Sequence, residues 1–294
     1  MRSGWLLLLA GLLLSGPTAR AQDDAAVPPL TITRLSGDVY MLRNEAAKFI
    51  GGNVAVLAGD DGLVVVDSQG GSYPQLLLDA LKKISAKPVR YVINTHCHDD
   101  HTGGNAALQK VGATVIAQDN VRRRLEANKG CTGKFAAPSM TFGDGLTLRL
   151  GEETVRITKL ETGHTDGDSI VYFTKANVVA TGDVFVSNAL PYYSRDTGGK
   201  LLGTIEQLRQ LVALVPEDAQ VIPGHGPRAS MADVKRTVRV FDEITGAISE
   251  QIRKGSKLHD LQAERFLSPW TQYIVEADQD IFLRDFYDAL RIAL

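Results

Sequence analysis

The chain has 294 residues, of which 44% are hydrophobic, and its formal net charge is −2 at pH 7. This length and composition allow a sizeable buried core, and the weak negative charge argues against nucleic acid or an anionic membrane surface as a partner. Two cysteines are too few to form a disulfide framework for a chain of this size.

The N-terminal segment has the three parts of a secretory signal. A basic residue, Arg2, precedes an apolar run over 5–14, and a small-residue site, Ala19-Arg20-Ala21, follows. We therefore expect cleavage after Ala21 and a periplasmic location for a mature chain of residues 22–294. The apolar run is too short to span a membrane, and no later segment is long enough. We expect 22–294 to fold as a single domain with C-terminal helices from about residue 231.

Short alternating apolar patterns separated by Gly and Asp turns predict strands in the first half. These strands are 30–35, 39–43, 53–58, 62–67, 89–93 and 114–117. Helical spacing predicts helices over 74–84, 105–110 and 119–128, followed by a loop over 129–139.

A second series of strands follows that loop. The predicted strands are 146–150, 154–160, 169–174, 177–180 and 220–222, with a helix over 205–215 and a helix-rich tail over 231–294. Two such mixed halves predict the α/β class, with packed sheets and outer helices.

The turn after strand 89–93 reads T-H-C-H-D-D-H and concentrates possible metal ligands. His96, His98, Asp100 and His101 lie within six residues. Neutral imidazole and carboxylate are ligands that zinc and similar divalent ions accept. If the chain stays extended here, His96 and His98 point to the same side, which leaves Asp100 and His101 for a second ion.

Three further turns in the second half have the same character. His164 lies in E-T-G-H-T, Asp183 in T-G-D-V-F and His225 in P-G-H-G-P, each in a Gly-containing turn after an apolar strand. A single histidine is more often an ordinary core or surface residue. Of the six histidines, however, only His259 lies outside such a turn, and this repetition predicts a metal centre.

Cys97 lies between His96 and His98, so its side chain should point away from the metals. We predict that Cys97 and Cys131 are buried or half-buried thiols. The alternatives are a disulfide between them, which export permits, and metal ligation by Cys97.

The motifs T-H-C-H-D-D-H, G-H-T, G-D-V-F and G-H-G-P resemble the metallo-β-lactamase superfamily of hydrolases in order and approximate spacing, over about residues 30–226. The resemblance implies an αββα four-layer sandwich with metals at one edge, here with a helical C-terminal tail. It also implies two sets of zinc ligands. One set is His96, His98 and His164, the other is Asp100, His101 and His225, and Asp183 bridges the two ions.

These ligands imply a mechanism in which a hydroxide on two zinc ions attacks a carbonyl group. Asp100 is the catalytic candidate, because it can orient that hydroxide as well as bind its ion. Asp67, Thr95 and Thr165 are candidates for orienting the imidazoles, or are ordinary turn residues. Zinc is the expected metal, with iron or manganese as alternatives.

The substrate prediction is broad. True β-lactamases of the superfamily usually carry Cys at the place of Asp183, so we predict an exported hydrolase of a small-molecule ester, lactone, thioester or β-lactam. The alternatives are a dedicated β-lactamase and a non-catalytic metal-binding or interaction protein.

Segment 44–52 is either a flap over the site or a hairpin connection. Four side chains of the 187–200 loop are candidate substrate contacts, with ordinary surface polarity as the alternative: Tyr192, Tyr193, Arg195 and Lys200.

Overall fold

The computed structural model of the protein describes residues 29–45, 51–128, 130–131, 136–274 and 279–293. The predicted signal, 1–21, lies outside the described residues, as do 46–50 of the segment predicted as a flap. Two β-sheets face each other, and helices cover their outer surfaces.

Within the described residues the first sheet has seven strands, arranged in chain order. They are β1 (Thr31–Ser36), β2 (Val39–Arg43), β3 (Val54–Gly59), β4 (Gly62–Val66), β5 (Val89–Asn94), β6 (Thr114–Gln118) and β7 (Met140–Phe142). Strands β1 to β4 pair antiparallel, whereas β4 to β7 pair parallel. The intervening helices are α1 (Pro74–Ile84), α2 (Asp99–Thr102), α3 (Asn105–Lys110) and α4 (Asp119–Ala127). The parallel part brings the carboxyl ends of several strands to one edge.

The second sheet has the order β13-β12-β11-β10-β9-β8. Its strands are β8 (Gly145–Leu150), β9 (Glu153–Lys159), β10 (Ser169–Phe173), β11 (Val178–Ala180), β12 (Gln220–Ile222) and β13 (Ala229–Ser230). The helices of this half are α5 (Leu201–Leu214), α6 (Met231–Arg253), α7 (Leu258–Ala263) and α8 (Gln279–Ala293), with 3₁₀ turns at Gly182–Val184, Arg195–Thr197 and Ser268–Tyr273. Strands β11 and β12 are parallel, and α5 lies in the crossover between them.

Alternate side chains of one strand enter different layers of the core. In β3, Ala55 and Leu57 pack between the sheets, whereas Val54 and Val56 pack toward α1. In β10, Val171 packs between the sheets and Ile170 packs against the outer helices of the second half. Burial of both sheet faces explains why these strands read as continuous apolar runs. The predicted αββα sandwich with a helical C-terminal segment is confirmed.

The apolar stripe of α6 packs on the core. Phe241 and Ile244 are both fully buried in the layer between the second sheet and α8. The helix begins at a capping box, in which Asp233 N donates to Ser230 Oγ and Ser230 N donates to the Asp233 carboxylate. Among the helices that the structure describes, none has the length and apolar character needed to cross a bilayer.

The sequence patterns missed some short or irregular elements. Strands β7 and β13 have three and two residues, lie at the sheet edges and bury only Phe142, so neither shows the apolar run that marks the equally short β11 and β12. Helix α5 begins at Leu201 rather than at 205. Gly203 and Thr204 interrupt its apolar pattern, and Gly203 is needed because a Cβ there would lie 1.8 Å from the carbonyl oxygen of Thr162.

Candidate metal centre

The predicted metal ligands converge at one edge of the sandwich, where strands end. The His96 turn follows β5, His164 follows β9, and Asp183 and His225 follow β11 and β12. Since β4 to β6 run parallel and β11 runs parallel to β12, these turns leave their sheets on the same side. The structure brings all seven predicted ligands into two groups.

We call His96, His98 and His164 the three-histidine group. Each of these histidines offers one possible ligand atom, and so does Asp183. The four atoms all lie within 4.8 Å of one another. His164 Nε2 is 3.0 Å from His98 Nδ1 and 3.6 Å from Asp183 Oδ2. The Nε2 atom of His96 is buried and has no hydrogen-bond partner among the described residues. An unpartnered imidazole nitrogen beside two others and a carboxylate fits a bound cation.

We call Asp100, His101 and His225 the Asp100 group. Its three ligand atoms also lie within 4.8 Å of one another. His225 Nε2 is 3.0 Å from Asp100 Oδ2, and His101 Nε2 is 3.5 Å from the same oxygen. The two Nε2 atoms are 3.3 Å apart. Mixed imidazole and carboxylate ligation of this kind also suits a divalent metal.

Asp183 faces both groups, one with each carboxylate oxygen. Oδ2 lies 3.9 Å from His96 Nε2, while Oδ1 lies 3.2 Å from His101 Nε2 and 3.4 Å from His225 Nε2. Gly182, with φ of +51°, provides the turn that directs this side chain inward. One carboxylate therefore lies within 4 Å of imidazole nitrogens of both groups.

His96 and His101 turn Nε2 toward the other candidate ligands, and a buried hydrogen bond at Nδ1 orients each ring. The partners are Thr95 and Asp67, as predicted. His101 Nδ1 lies 2.8 Å from Asp67 Oδ2, and His96 Nδ1 lies 3.0 Å from Thr95 Oγ1. The Thr95 hydroxyl also donates to Asp67 Oδ2 at 2.8 Å. Such contacts hold the ring and its tautomer in place.

The loop after Asp183 orients the other two rings of the three-histidine group. His164 Nδ1 lies 2.6 Å from the carbonyl oxygen of Tyr192, so that nitrogen is the donor. His98 Nε2 lies 3.3 Å from Thr197 Oγ1. Thr197 is fully buried, and the sequence reasoning missed it because nothing local distinguishes it from other loop residues.

Thr165 does not have the predicted contact with an imidazole, because its hydroxyl donates to Asp168 Oδ1 at 2.6 Å. The residues that support the His164 turn are Asp168 and Gln207, which the sequence reasoning missed. Gln207 Oε1 accepts a hydrogen bond from His164 N at 3.0 Å, and its Nε2 donates to Asp168 Oδ2 at 2.6 Å. A polar residue on the buried face of α5 was the signal that could have revealed Gln207.

The four candidate substrate residues divide into two pairs. Tyr193 is only 9% exposed, and its hydroxyl donates to Asp285 Oδ2 at 2.7 Å. Arg195 forms an ion pair with Asp285 at 2.9 Å. These two side chains therefore connect the loop to α8, a contact that chain order alone does not reveal. Tyr192, which is 70% exposed, and exposed Lys200 remain predicted substrate contacts.

Electrostatics differ between the two groups. Burial lowers the pKa of His98 to about 4 and, with the nearby charge of His101, holds the pKa of His96 well below its usual value. Burial also opposes charge on His101, but Asp100, Asp183 and Asp67 outweigh it and raise that pKa well above the usual value. Burial also lowers the pKa of His225, but Asp183 and Asp100 outweigh burial and raise that pKa to about 9. The Asp100 group therefore attracts positive charge.

The thiol prediction for the cysteines is wrong, because Cys97 and Cys131 form a disulfide. Their Cα atoms are 5.9 Å apart across a sequence separation of 34 residues. Cys97 points away from the metal ligands, as predicted, and packs with Cys131 against Ala117 and Val121. Only the tertiary path of the chain after α4 brings Cys131 to this place.

Comparisons with known proteins agree with this architecture. A family model described as the metallo-beta-lactamase superfamily matches residues 47–225. The protein called "Metallo-beta-lactamase type 2" from Elizabethkingia meningoseptica is 24% identical over 259 residues, which cover 81% of this chain and 94% of that protein. "Metallo-beta-lactamase IND-1" from Chryseobacterium indologenes is 28% identical over 173 residues, covering 58% of this chain and 69% of that protein.

Among solved structures, a metallo-beta-lactamase from Pontibacter korlensis has a similar fold, with a TM-score of 0.64 and 21% sequence identity. The match covers 72% of this chain and 99% of that one. The family match spans both ligand groups, which supports a divalent metal at this edge of the sandwich. The chain belongs to the metallo-beta-lactamase superfamily and is a metal-dependent hydrolase of that fold.

Proposed function

We propose that the protein is an exported hydrolase that holds two zinc ions and cleaves a small-molecule carbonyl substrate: an ester, lactone, thioester or β-lactam. The observation that carries this proposal is the position of Asp183, whose two oxygens face different ligand groups. A structural zinc site needs only four closed ligands, whereas this edge offers seven.

We assign the three-histidine group to one ion, the Asp100 group to the other, and Asp183 to both. Three imidazoles on one ion suit zinc better than metals that prefer oxygen ligands, although iron and manganese remain alternatives. Bound here, the ions would supply Lewis acidity and lower the pKa of water toward neutrality.

Asp100 is the residue to which we assign proton handling. Its Oδ2 faces His101 and His225, which leaves Oδ1 to accept a hydrogen bond from the attacking water and orient it. Its side chain is 36% exposed, so a substrate can reach it. Tyr192 and Lys200 are assigned to substrate orientation, because Tyr192 lies next to His164 and both side chains face solvent.

The names of the relatives favour a second candidate, a dedicated β-lactamase. The carboxylate of Asp183 argues for the broader carbonyl hydrolase, since it departs from the Cys usual in true β-lactamases. The two functions differ in substrate and share the same centre.

We also propose export through residues 1–21 and a single folded domain over 22–294, with a periplasmic location. The Cys97–Cys131 disulfide supports this, because disulfides persist in oxidising compartments and are rare in the cytosol.

The test is hydrolysis by the purified, zinc-loaded chain of a chromogenic β-lactam and a matched panel of ester, lactone and thioester. Metal content is measured on the same samples, with His98→Ala as the control. Turnover of esters, lactones or thioesters that the control loses would support the broad hydrolase. Fast turnover confined to the β-lactam would establish the dedicated β-lactamase, and no turnover by a chain containing two zinc ions would overturn both.

A further inference from the structure

The Cys97–Cys131 disulfide lies on the side of the histidine turn opposite to the metal ligands. We propose that this disulfide is a positioning device for the three-histidine group, and that it holds His96 and His98 in the geometry that binds a cation. The inference rests on the proposed function, because it concerns the metal affinity of that same centre.

The first observation is the place of Cys97 between two ligands. Its side chain is anchored to Cys131, and the two residues are only 1% and 2% exposed. They pack against Ala117 and Val121, so the crosslink is held by the core as well as by the chain. Peptide bonds join Cys97 to both His96 and His98, so fixing the Cys97 backbone restricts the positions of the two residues that carry the imidazoles.

The second observation is a contact that reaches His98 from its other side. Gly130, next to Cys131, lies so close to the 3₁₀ turn at Arg195–Thr197 that an added Cβ would be 2.7 Å from Thr197 Cγ2. Thr197 is fully buried, and its Oγ1 is 3.3 Å from His98 Nε2. The disulfide thus supports His98 through the main chain and, by way of Gly130 and Thr197, through its ring.

A positioning role and a purely stabilising role make different predictions. A crosslink that only restricts the unfolded chain raises the stability of the metal-free and metal-loaded protein alike. A crosslink that positions ligands changes the affinity for the metal itself, because metal binding then has to reorder the turn.

The proposal makes metal affinity dependent on thiol redox state. A dithiol reductant delivers two electrons and two protons, breaks the sulfur–sulfur bond into two thiols, and is itself oxidised to a cyclic disulfide. The reduced protein should hold the metal of the three-histidine group more weakly. The centre then loads fully only where the disulfide has formed.

The test measures zinc affinity by competition with a chromophoric chelator. The double variant Cys97→Ala/Cys131→Ala is made in the wild type, in His225→Ala, which leaves the three-histidine group, and in His98→Ala, which leaves the Asp100 group. We expect the zinc Kd to rise about tenfold or more in the His225→Ala background and to change less than about twofold in the His98→Ala background. An unchanged Kd in both backgrounds, with a lower melting temperature, would overturn the proposal.

Two further experiments address folding. Val121→Ala loosens the same buried cluster but keeps the disulfide, and should leave the Kd unchanged; an equal rise would mean that general loosening is responsible and would overturn the proposal. If circular dichroism shows that the double variant is unfolded, the folded His225→Ala protein is instead reduced with the dithiol, freed of excess reagent and titrated with zinc. A rise in Kd supports the proposal, and an unchanged Kd contradicts it.

Failure of the proposed function gives a different result. A wild-type chain that binds no zinc overturns the dinuclear centre itself. A wild-type chain with two zinc ions, and a double variant of equal affinity, overturns only the positioning role of the disulfide.

Discussion

The two ligand groups of the centre differ in exposure and in charge. The side chains of His96 and His164 are 1% and 4% exposed, whereas in the Asp100 group His101 is 0% exposed but His225 and Asp100 are 30% and 36% exposed. Burial lowers the pKa of His96 and His98 and favours their neutral forms, while neighbouring carboxylates raise the pKa of His101 and His225 and favour their protonated forms. One group is therefore ready to bind a cation, and the other must first release protons.

Asp183→Asn should have the largest effect, because it removes the negative charge of a carboxylate whose two oxygens face different sets of ligands. We expect kcat/KM to fall about 10³-fold or more, equivalent to about 4 kcal/mol of transition-state stabilisation. Metal content should fall below two ions per chain. Asp196→Asn, an exposed carboxylate on the following loop, is the matched control and should leave both quantities unchanged.

Gln207→Leu should affect the three-histidine group and leave the Asp100 group unchanged. It removes the acceptor for His164 N and the donor to Asp168, so the turn that presents His164 should loosen. We expect metal affinity of the three-histidine group to fall about 10–100-fold, as measured by chelator competition in the His225→Ala background.

The matched control for this variant is Gln210→Leu on the same helix. Gln210 Oε1 accepts a hydrogen bond from Glu161 N and does not contact the His164 backbone amide. Equal loss of affinity in both variants would contradict a specific role for Gln207.

Titration of the metal-free protein tests the difference in charge directly. The pKa of His225 is raised from 6.5 to about 9, so its protonated form stabilises the metal-free protein below pH 6.5, and this contribution is lost as the pH rises through 9. NMR of the His225 ring measures the pKa, and unfolding experiments at several pH values measure the stability. A measured His225 pKa near 6.5 would contradict the difference in charge between the two groups.

Tyr193→Phe should have the smallest effect. The hydroxyl donates to Asp285 and accepts from Arg195 Nε at 2.7 Å, so its loss should lower the free energy of unfolding by about 1 kcal/mol. Because the hydroxyl is directed toward α8, KM should stay within about threefold of the wild-type value. Denaturant unfolding and steady-state kinetics measure the two quantities. Tyr192→Phe, at a residue that is 70% exposed, is the stability control.

Local patterns predicted much of the fold. Strands buried on both faces, such as β3 and β4, read as apolar runs between turns, and α1 and α6 show clear helical spacing. The edge strands β7 and β13 were not predictable, because their residues are mostly exposed and form no apolar run. Gly203 obscured the beginning of α5 for a reason that is tertiary, namely its close approach to Thr162.

The predicted ligands were recognisable because each lies in a Gly-containing or His-rich turn directly after an apolar strand. Asp67 and Thr95 were also predictable as residues that orient the imidazoles, because they directly follow β4 and β5. Thr197, Asp168 and Gln207 were missed, because a buried Thr, Asp or Gln has no local signature, and its role depends on which atom it meets.

The sequence by itself determined the fold class, the identity of the seven candidate ligands and the orientation of Cys97 away from them, because these follow from side-chain chemistry and short-range periodicity. Only the tertiary structure decided that the two oxygens of Asp183 face different groups, that Cys97 pairs with Cys131, and that Tyr193 meets α8. Those contacts join residues far apart in the chain, and their distances are set by how the two sheets and their outer helices pack.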